Sequence, residues 1–139
     1  MHRELQVGVK ILLKNESGKY LLIRRNPKKY PEVGLKWDIV GGRINPGTDL
    51  LTNLKREVKE ETGLILKTKI ILVAAQDILR VPDKHIVRIT YQGMISGVTN
   101  IDEESLEYKW FTKAEILKLR SKELDIYFIE LLKKNLISW

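Results

Sequence analysis

Three glutamates, Glu57, Glu60 and Glu61, stand at i, i+3 and i+4 in the segment Arg56-Glu57-Val58-Lys59-Glu60-Glu61. On a helix that spacing projects all three carboxylates from one side, across an arc of roughly 100°. By itself the arrangement is unfavourable. Like charges at i, i+4 repel by roughly 0.2–0.5 kcal/mol, and Glu60 and Glu61 fall in the last turn, where the macrodipole is already negative. Arg56 and Lys59 are expected to point away from the arc and to screen it incompletely. Three carboxylates crowded at that end of a helix call for a cation. Carboxylates give hard oxygen donors, and the chain has no cysteine and two histidines, which favours Mg²⁺ or Mn²⁺ over zinc. Mg²⁺ held by a few carboxylates usually completes its shell with substrate phosphates, so the trio also points to a phosphorylated ligand. From spacing alone, the alternative is a solvated acidic helix face with Arg56–Glu60 as an i, i+4 pair.

The elements that must position these residues can be read along the chain. Leu51, Leu54 and Val58 repeat at i, i+3, i+7, which predicts a helix over Asp49–Thr62 with Gly63 as its C′ residue. Either Thr48 or Asp49 can serve as its N-cap. Before it, Val7–Leu13 and Tyr20–Arg24 are β-rich runs separated by Asn15-Glu16-Ser17-Gly18 and read as a hairpin. Residues 26–36 form a basic loop with two prolines, and Trp37–Val40 reads as a short strand ending at Gly41-Gly42. Leu64–Leu79 and His85–Ile95 are rich in Val, Ile and Thr and read as strands around the turn Val81-Pro82-Asp83-Lys84, with His85 as a turn residue. Tyr108–Phe111 is a last short strand, its Trp110 and Phe111 read as core. Helices follow at Lys113–Leu119 and about Glu123–Lys134, the second with Ile126, Ile129 and Leu132 or Lys133 along one stripe that serves as packing or as a dimer surface. Strands interleaved with helices indicate an α/β (α+β) domain with helices against a mixed sheet.

At 139 residues, with 43% apolar and 31% charged residues, the chain fits a single domain over residues 1–139 able to bury a core without staples. The lack of cysteine excludes a disulfide framework and cysteine nucleophiles. No apolar run approaches the roughly 20 residues of a membrane span, and the charged start MHRELQVGVK is no signal peptide; a soluble, cytoplasmic protein is expected. The net charge is +7, and residues 1–36 hold nine basic and three acidic residues while residues 37–64 are net acidic. Two surfaces of opposite sign suit a polyanionic ligand, with a solvated basic surface as the alternative.

Gly42, five residues, Thr48, seven residues and then Arg56-Glu57-Val58-Lys59-Glu60-Glu61-Thr62-Gly63-Leu64 closely resembles the Nudix box of the Nudix (MutT-like) hydrolases, G-x5-E-x7-R-E-U-x-E-E-x-G-U, where U is bulky and aliphatic. Eight of the nine specified positions match. Tyr20-Leu21-Leu22-Ile23-Arg24-Arg25 is similar to the family's second strand, and Trp37-Asp38-Ile39-Val40-Gly41-Gly42 to its W-x-x-P-G-G stretch, with Val40 where proline is usual. Pro82-Asp83-Lys84-His85-Ile86 resembles a turn of MutT-type members. Glu103-Glu104 resembles the family's late acidic residue that precedes a tryptophan-containing strand, here Trp110. The resemblance covers most of residues 5–120 and implies a mixed β-sheet sandwiched between helices.

The resemblance implies hydrolysis of a diphosphate linkage in a nucleoside diphosphate attached to a moiety X. It makes Glu57, Glu60, Glu61 and Glu104 metal ligands, with Glu57 or Glu104 as general base. Arg56 would orient a box glutamate. Arg25 and Arg24 are candidates for phosphate or nucleobase, and alternation along a strand lets only one of them face the cleft. Gly41, Gly42 and Gly47 let backbone approach phosphate, with simple turn-making as the alternative. Trp37, Tyr30 and Tyr91 are candidates for stacking on a base, with core or loop packing as the alternative. Ile44-Asn45-Pro46-Gly47 is similar to a stretch of Nudix enzymes that process RNA 5′ ends or dinucleoside polyphosphates, and Lys28-Lys29 would suit a nucleic-acid end. Thr48 replaces the first glutamate of the box, which in the family supports the helix start and orients the arginine. That departure keeps a third reading open, a catalytically weak nucleotide-binding sensor.

Overall fold

The computed structural model describes residues 2–25, 28, 36–97 and 106–139. The chain runs β1 (Glu4–Lys14), β2 (Tyr20–Arg25), β3 (Val40–Arg43), α1 (Leu50–Thr62), β4 (Ile65–Ile78), β5 (Lys84–Ser96), β6 (Leu106–Phe111), α2 (Lys113–Lys118) and α3 (Ile126–Lys133). The sheet order is β4-β5-β1-β2-β6, with β3 paired to β1 off this path. β1 is the hub. One edge pairs in parallel with β5 along the whole strand, from Glu4↔Lys84 to Lys14↔Met94. The other edge is shared: Gly8–Ile11 take the antiparallel β3, and Leu13 and Lys14 take β2. That division sends β3, and the loop leading into α1, away from the plane continued by β2 and β6.

Alternation along the strands fills both faces. Val9, Ile11 and Leu13 of β1 and Leu21 and Ile23 of β2 join Leu54 and Val58 of α1 in one core. Leu12 of β1 and Tyr20 and Leu22 of β2 join Phe111, Ile116, Phe128 and Leu131 in the other, beneath α2 and α3. The mixed sheet therefore lies between helices, as the sequence suggested. Leu54 and Val58 are fully buried, and each such side chain contributes about 1.5–3 kcal/mol of hydrophobic stabilisation.

α1 begins at Asp49, whose carboxylate accepts from the Thr52 N–H at 2.7 Å, so the cap is Asp49 and not Thr48. It ends at Gly63, whose φ of 70° and bond from its N–H to the Lys59 carbonyl close the last turn. The inward phase differs from the expected one. Leu51 is 45% exposed, and the buried residues are Asn53, Leu54, Val58 and Thr62. The third strand also shifts. Regular pairing covers Val40–Arg43, because the Gly41-Gly42 backbone pairs with Lys10 and Val9, while Trp37 and Asp38 make only single bridges. His85 falls inside β5 rather than in the turn, and its Nε2 lies 2.7 Å from Asp77 Oδ1.

α3 starts later than the apolar spacing indicated. Asp125 caps it by accepting from the Tyr127 and Phe128 N–H groups. Its buried residues are Phe128 and Leu131, with Ile126 exposed, so the expected Ile126/Ile129/Leu132 stripe is rotated. The cause lies across the molecule: Asp125 is also ion-paired to the buried Arg88 of β5 at 3.3 Å, which fixes the turn on which the helix begins. Among the described residues no helix is long and apolar enough to cross a membrane.

Candidate active site

α1 packs directly on β3, and the contact is made by the acidic residues. The Gly41 N–H donates to Glu61 Oε1 at 3.1 Å. Glu57 lies over Gly42 so closely that a Cβ there would stand 2.7 Å from its Oε2. Any side chain at Gly42 would occupy the space of the Glu57 carboxylate. Glu57 and Glu61 are one turn apart and hydrogen-bonded to each other. Burial pushes the Glu61 carboxyl up to about 7; Glu57 adds to that rise, while Lys10 and the Gly41 N–H work against it. Burial and the neighbouring carboxylate thus outweigh the attraction of Lys10 and favour a proton on one carboxyl of the pair.

The trio is not symmetrical. Arg56 Nη1 donates to Glu57 Oε1 at 2.9 Å and to Glu60 Oε2 at 3.2 Å, which corrects the expectation that Arg56 points away from the acidic arc. Its guanidinium reaches forward along its own helix to two of the three carboxylates and offsets one unit of their charge. The Glu60 side chain remains 59% exposed, against 13% for Glu57. The pair that converges on β3 is therefore Glu57 and Glu61, with Glu60 outward across Arg56. Among the described residues no three acidic or histidine side chains are grouped as a ready-made metal cage. Glu104, Glu103, Lys29 and Tyr30 lie outside the described residues.

Asn53 is the residue that sequence reasoning missed. It is fully buried, and its Oδ1 accepts from the Asn45 N–H at 2.9 Å and from Arg56 Nη2 at 3.1 Å. Its Nδ2 donates to the Thr48 and Asp49 carbonyls at 2.9 and 2.6 Å. Arg56 Nη2 also reaches the Arg43 carbonyl at 3.3 Å. The two tasks that the resemblance assigns to a glutamate at position 48, supporting the helix start and orienting the arginine, are thus carried out by an amide one turn further along. The available signal was an asparagine in the first turn of the helix, three residues before the arginine. Asn53→Ala should lower stability by about 2–4 kcal/mol, since it strands buried backbone and guanidinium groups together. A denaturant midpoint unchanged by the substitution would show that the network carries no such weight.

The remaining candidates are placed as follows. Arg24 Nε donates to Glu107 Oε2 at 2.7 Å, and its guanidinium lies 4.4 Å from the Trp37 ring centroid. Trp37 is packed edge-on against Phe111 in the second core. Arg25 closes β2, opposite Leu106 of β6. Tyr91 is buried in the first core, with Trp110 packed against it.

On the α3 side of β3 a cavity of about 200 Å³ shares Gly42 with the acidic site and is lined by Lys10, Asp38, Arg43, Arg80, Arg88 and Asp125, among others. Burial works to raise the Asp38 carboxyl, but Lys10 at 3.2 Å and Arg88 at 2.9 Å outweigh it and hold it below the ordinary carboxylate range. Burial likewise opposes the charge of Arg88, and Asp38 and Asp125 more than restore it, so this guanidinium is held firmly ionised.

A mixed sheet between helices, with an R-E-x-x-E-E helix seated on a Gly-Gly strand, defines a class, and the chain belongs to it: the NUDIX domain family matches residues 4–132. It is a Nudix-type hydrolase acting on pyrophosphate bonds. Among solved structures it is similar to a MutT protein from Methanosarcina mazei Go1, at 27% identity, covering 96% of this chain and 94% of that one with a TM-score of 0.76. A MutT NUDIX hydrolase from Burkholderia pseudomallei is 24% identical, with 98% and 100% covered and a TM-score of 0.76. The ORF135 protein of E. coli is 23% identical, with 94% and 88% covered and a TM-score of 0.73; the last two likenesses speak to fold. No curated protein matches the chain.

Proposed function

We propose that the protein hydrolyses, with Mg²⁺ or Mn²⁺, the diphosphate linkage of a nucleoside diphosphate joined to another moiety X. The observation that carries this reading is the Glu57–Glu61 pair, half-buried against the Gly41-Gly42 backbone, where burial and crowding push the Glu61 carboxyl up to about 7. The donor set fits a hard divalent cation: oxygen ligands only, excess negative charge, and an arginine that already fixes the neighbouring carboxylates. When bound, such an ion lowers the pKa of an attacking water and neutralises charge on the transferred group.

The chain's own residues do the rest. Glu57 and Glu61 would hold the ion, with Glu60 and Glu104 as further ligands, and Glu57 or Glu104 would take the proton of the attacking water. Arg56 orients Glu57 and Glu60 without touching substrate, and the Gly41 N–H fixes Glu61. Asn53 anchors Arg56 where the box glutamate is missing, which supports an enzyme over a silent nucleotide sensor.

The test is a panel of nucleoside triphosphates, nucleoside diphosphate sugars, dinucleoside polyphosphates and triphosphorylated RNA, with Mg²⁺ and with chelator. Hydrolysis at the diphosphate, lost with chelator, is expected for a member of the nucleotide set. Micromolar nucleotide binding without turnover would overturn the reading in favour of a sensor. A preference for triphosphorylated RNA that weakens steeply with salt would move it to RNA 5′ ends.

A further inference from the structure

The exposed apolar side chains are not spread evenly over the molecule. Ile65, Ile71, Leu72 and Leu79 all lie on β4 or just past its end, Ile65 and Leu72 at 71% and 63% exposure. β4 is also an outer strand: the sheet order is β4-β5-β1-β2-β6, and no described strand pairs with its free edge. Its 14 residues present a row of backbone N–H and C=O groups, about 45 Å long, open to pairing. Edge strands are commonly guarded by proline or by being short. β4 is neither short nor interrupted by proline. Its register shifts at Leu66/Ile70 and Leu72/Ala74 bend the strand without ending it. The guards it does carry are charges, and they are placed asymmetrically. Lys67 and Lys69 stand in the first half and Asp77 in the second, all exposed, with Ile71 and Leu72 between them.

We propose that the free edge of β4 is the contact surface for a second copy of this chain, joined antiparallel about a two-fold axis near Leu72. Such pairing is independent of which bond the enzyme hydrolyses. The charges select the occupant and its direction. In an antiparallel two-fold pair the first half of one β4 meets the second half of the other, so Lys67 and Lys69 approach Asp77 of the second copy. Parallel pairing would set lysine against lysine. The apolar centre then packs on itself, Ile71 and Leu72 against their counterparts, and each copy supplies acceptors and donors for the other's open backbone groups. Because the same edge serves both copies, the contact closes at the dimer and does not propagate. The area sets the strength. Two edges about 45 Å long and one sheet deep, about 10 Å, bury on the order of 1,000 Å² together. That is at the low end of specific interfaces, so a reversible dimer that dissociates in the micromolar range is expected.

The test is sedimentation equilibrium across the micromolar range at physiological salt, where a reversible monomer–dimer equilibrium is expected. Leu72→Asp, at an exposed position, should weaken the dimer at least about 10-fold while the far-UV circular dichroism stays that of the folded chain. Ile126→Asp, on the exposed side of α3, should leave the equilibrium unchanged. Two charge variants give the sharper readout. Asp77→Lys makes the three β4 charges all positive, and the double variant Lys67→Glu, Lys69→Glu makes them all negative. Each alone should dimerise about 10-fold more weakly than the wild type, and an equal mixture should recover the lost affinity as a heterodimer. Amide hydrogen exchange over Ile65–Ile78 should slow as protein concentration rises. A wild type that stays monomeric, association that continues past the dimer, or charge variants that fail to recombine would overturn the assignment. So would a dimer indifferent to Leu72→Asp.

Discussion

Glu61→Gln is expected to slow pyrophosphate-bond hydrolysis by at least about 100-fold while making the metal-free protein more stable at neutral pH. The two effects share one cause. In the folded protein the Glu61 carboxyl titrates at about 7, against an ordinary 4.5, because it is buried beside Glu57. A folded-state pKa above the unfolded one means that the folded protein binds the extra proton. Its contribution is therefore complete below about pH 4.5 and is lost as pH rises to about 7. Above that, ionised Glu61 costs on the order of 3 kcal/mol at most. Glutamine is never ionised, so the variant should gain on the wild type between pH 5 and 7.5 in thermal melts made with chelator. Mg²⁺ should reverse the order, stabilising the wild type alone. A variant that loses activity and is also less stable at pH 7.5 would mean that Glu61 is a structural residue.

The second large effect separates two adjacent glycines. At Gly42 an added methyl meets the end of the Glu57 side chain, at 2.7 Å from Oε2 and 2.9 Å from Cδ. A side-chain end can swing away, so Gly42→Ala should fold with little loss of stability. It should nonetheless lose about 100-fold or more in kcat, because a displacement of about 1 Å at a reacting site has that effect. At Gly41 the φ is 145°, and the methyl would stand 2.0 Å from the Val9 carbonyl oxygen and 2.8 Å from Lys10 Cα. Backbone in the central strand cannot yield. Gly41→Ala should destabilise by about 3 kcal/mol or more. Far-UV circular dichroism and denaturant midpoints, read beside kcat, distinguish the two failures. Equal stability loss at both positions would remove Glu57 from the Gly42 contact.

What was legible in the sequence was local. The helix of Glu57, Glu60 and Glu61 could be placed to within a residue because its apolar spacing, Asp49 and Gly63 all lie within one segment, and each acts on its own neighbours. The β-rich runs of β1, β2, β4 and β5 were likewise visible in composition. Properties set by contacts across the chain were not. Leu51 and Ile126 have the periodicity of core residues, but docking against the sheet turned each helix so that they face out. Arg56 looks peripheral on a helical projection, yet Asn53 and two glutamates draw it over the site. Asp38 and Arg88 are 50 residues apart, and no period or motif relates them. They meet because β1 pairs with both β3 and β5.

The most direct test is calorimetric titration of Mg²⁺, and separately of Mn²⁺, into the wild type, Glu57→Gln and Glu61→Gln at pH 7.5. The wild type should bind with an affinity about 10–100-fold above either variant, and the same variants should lose hydrolysis in parallel. Identical metal affinity in all three proteins would contradict the assignment of this carboxylate pair.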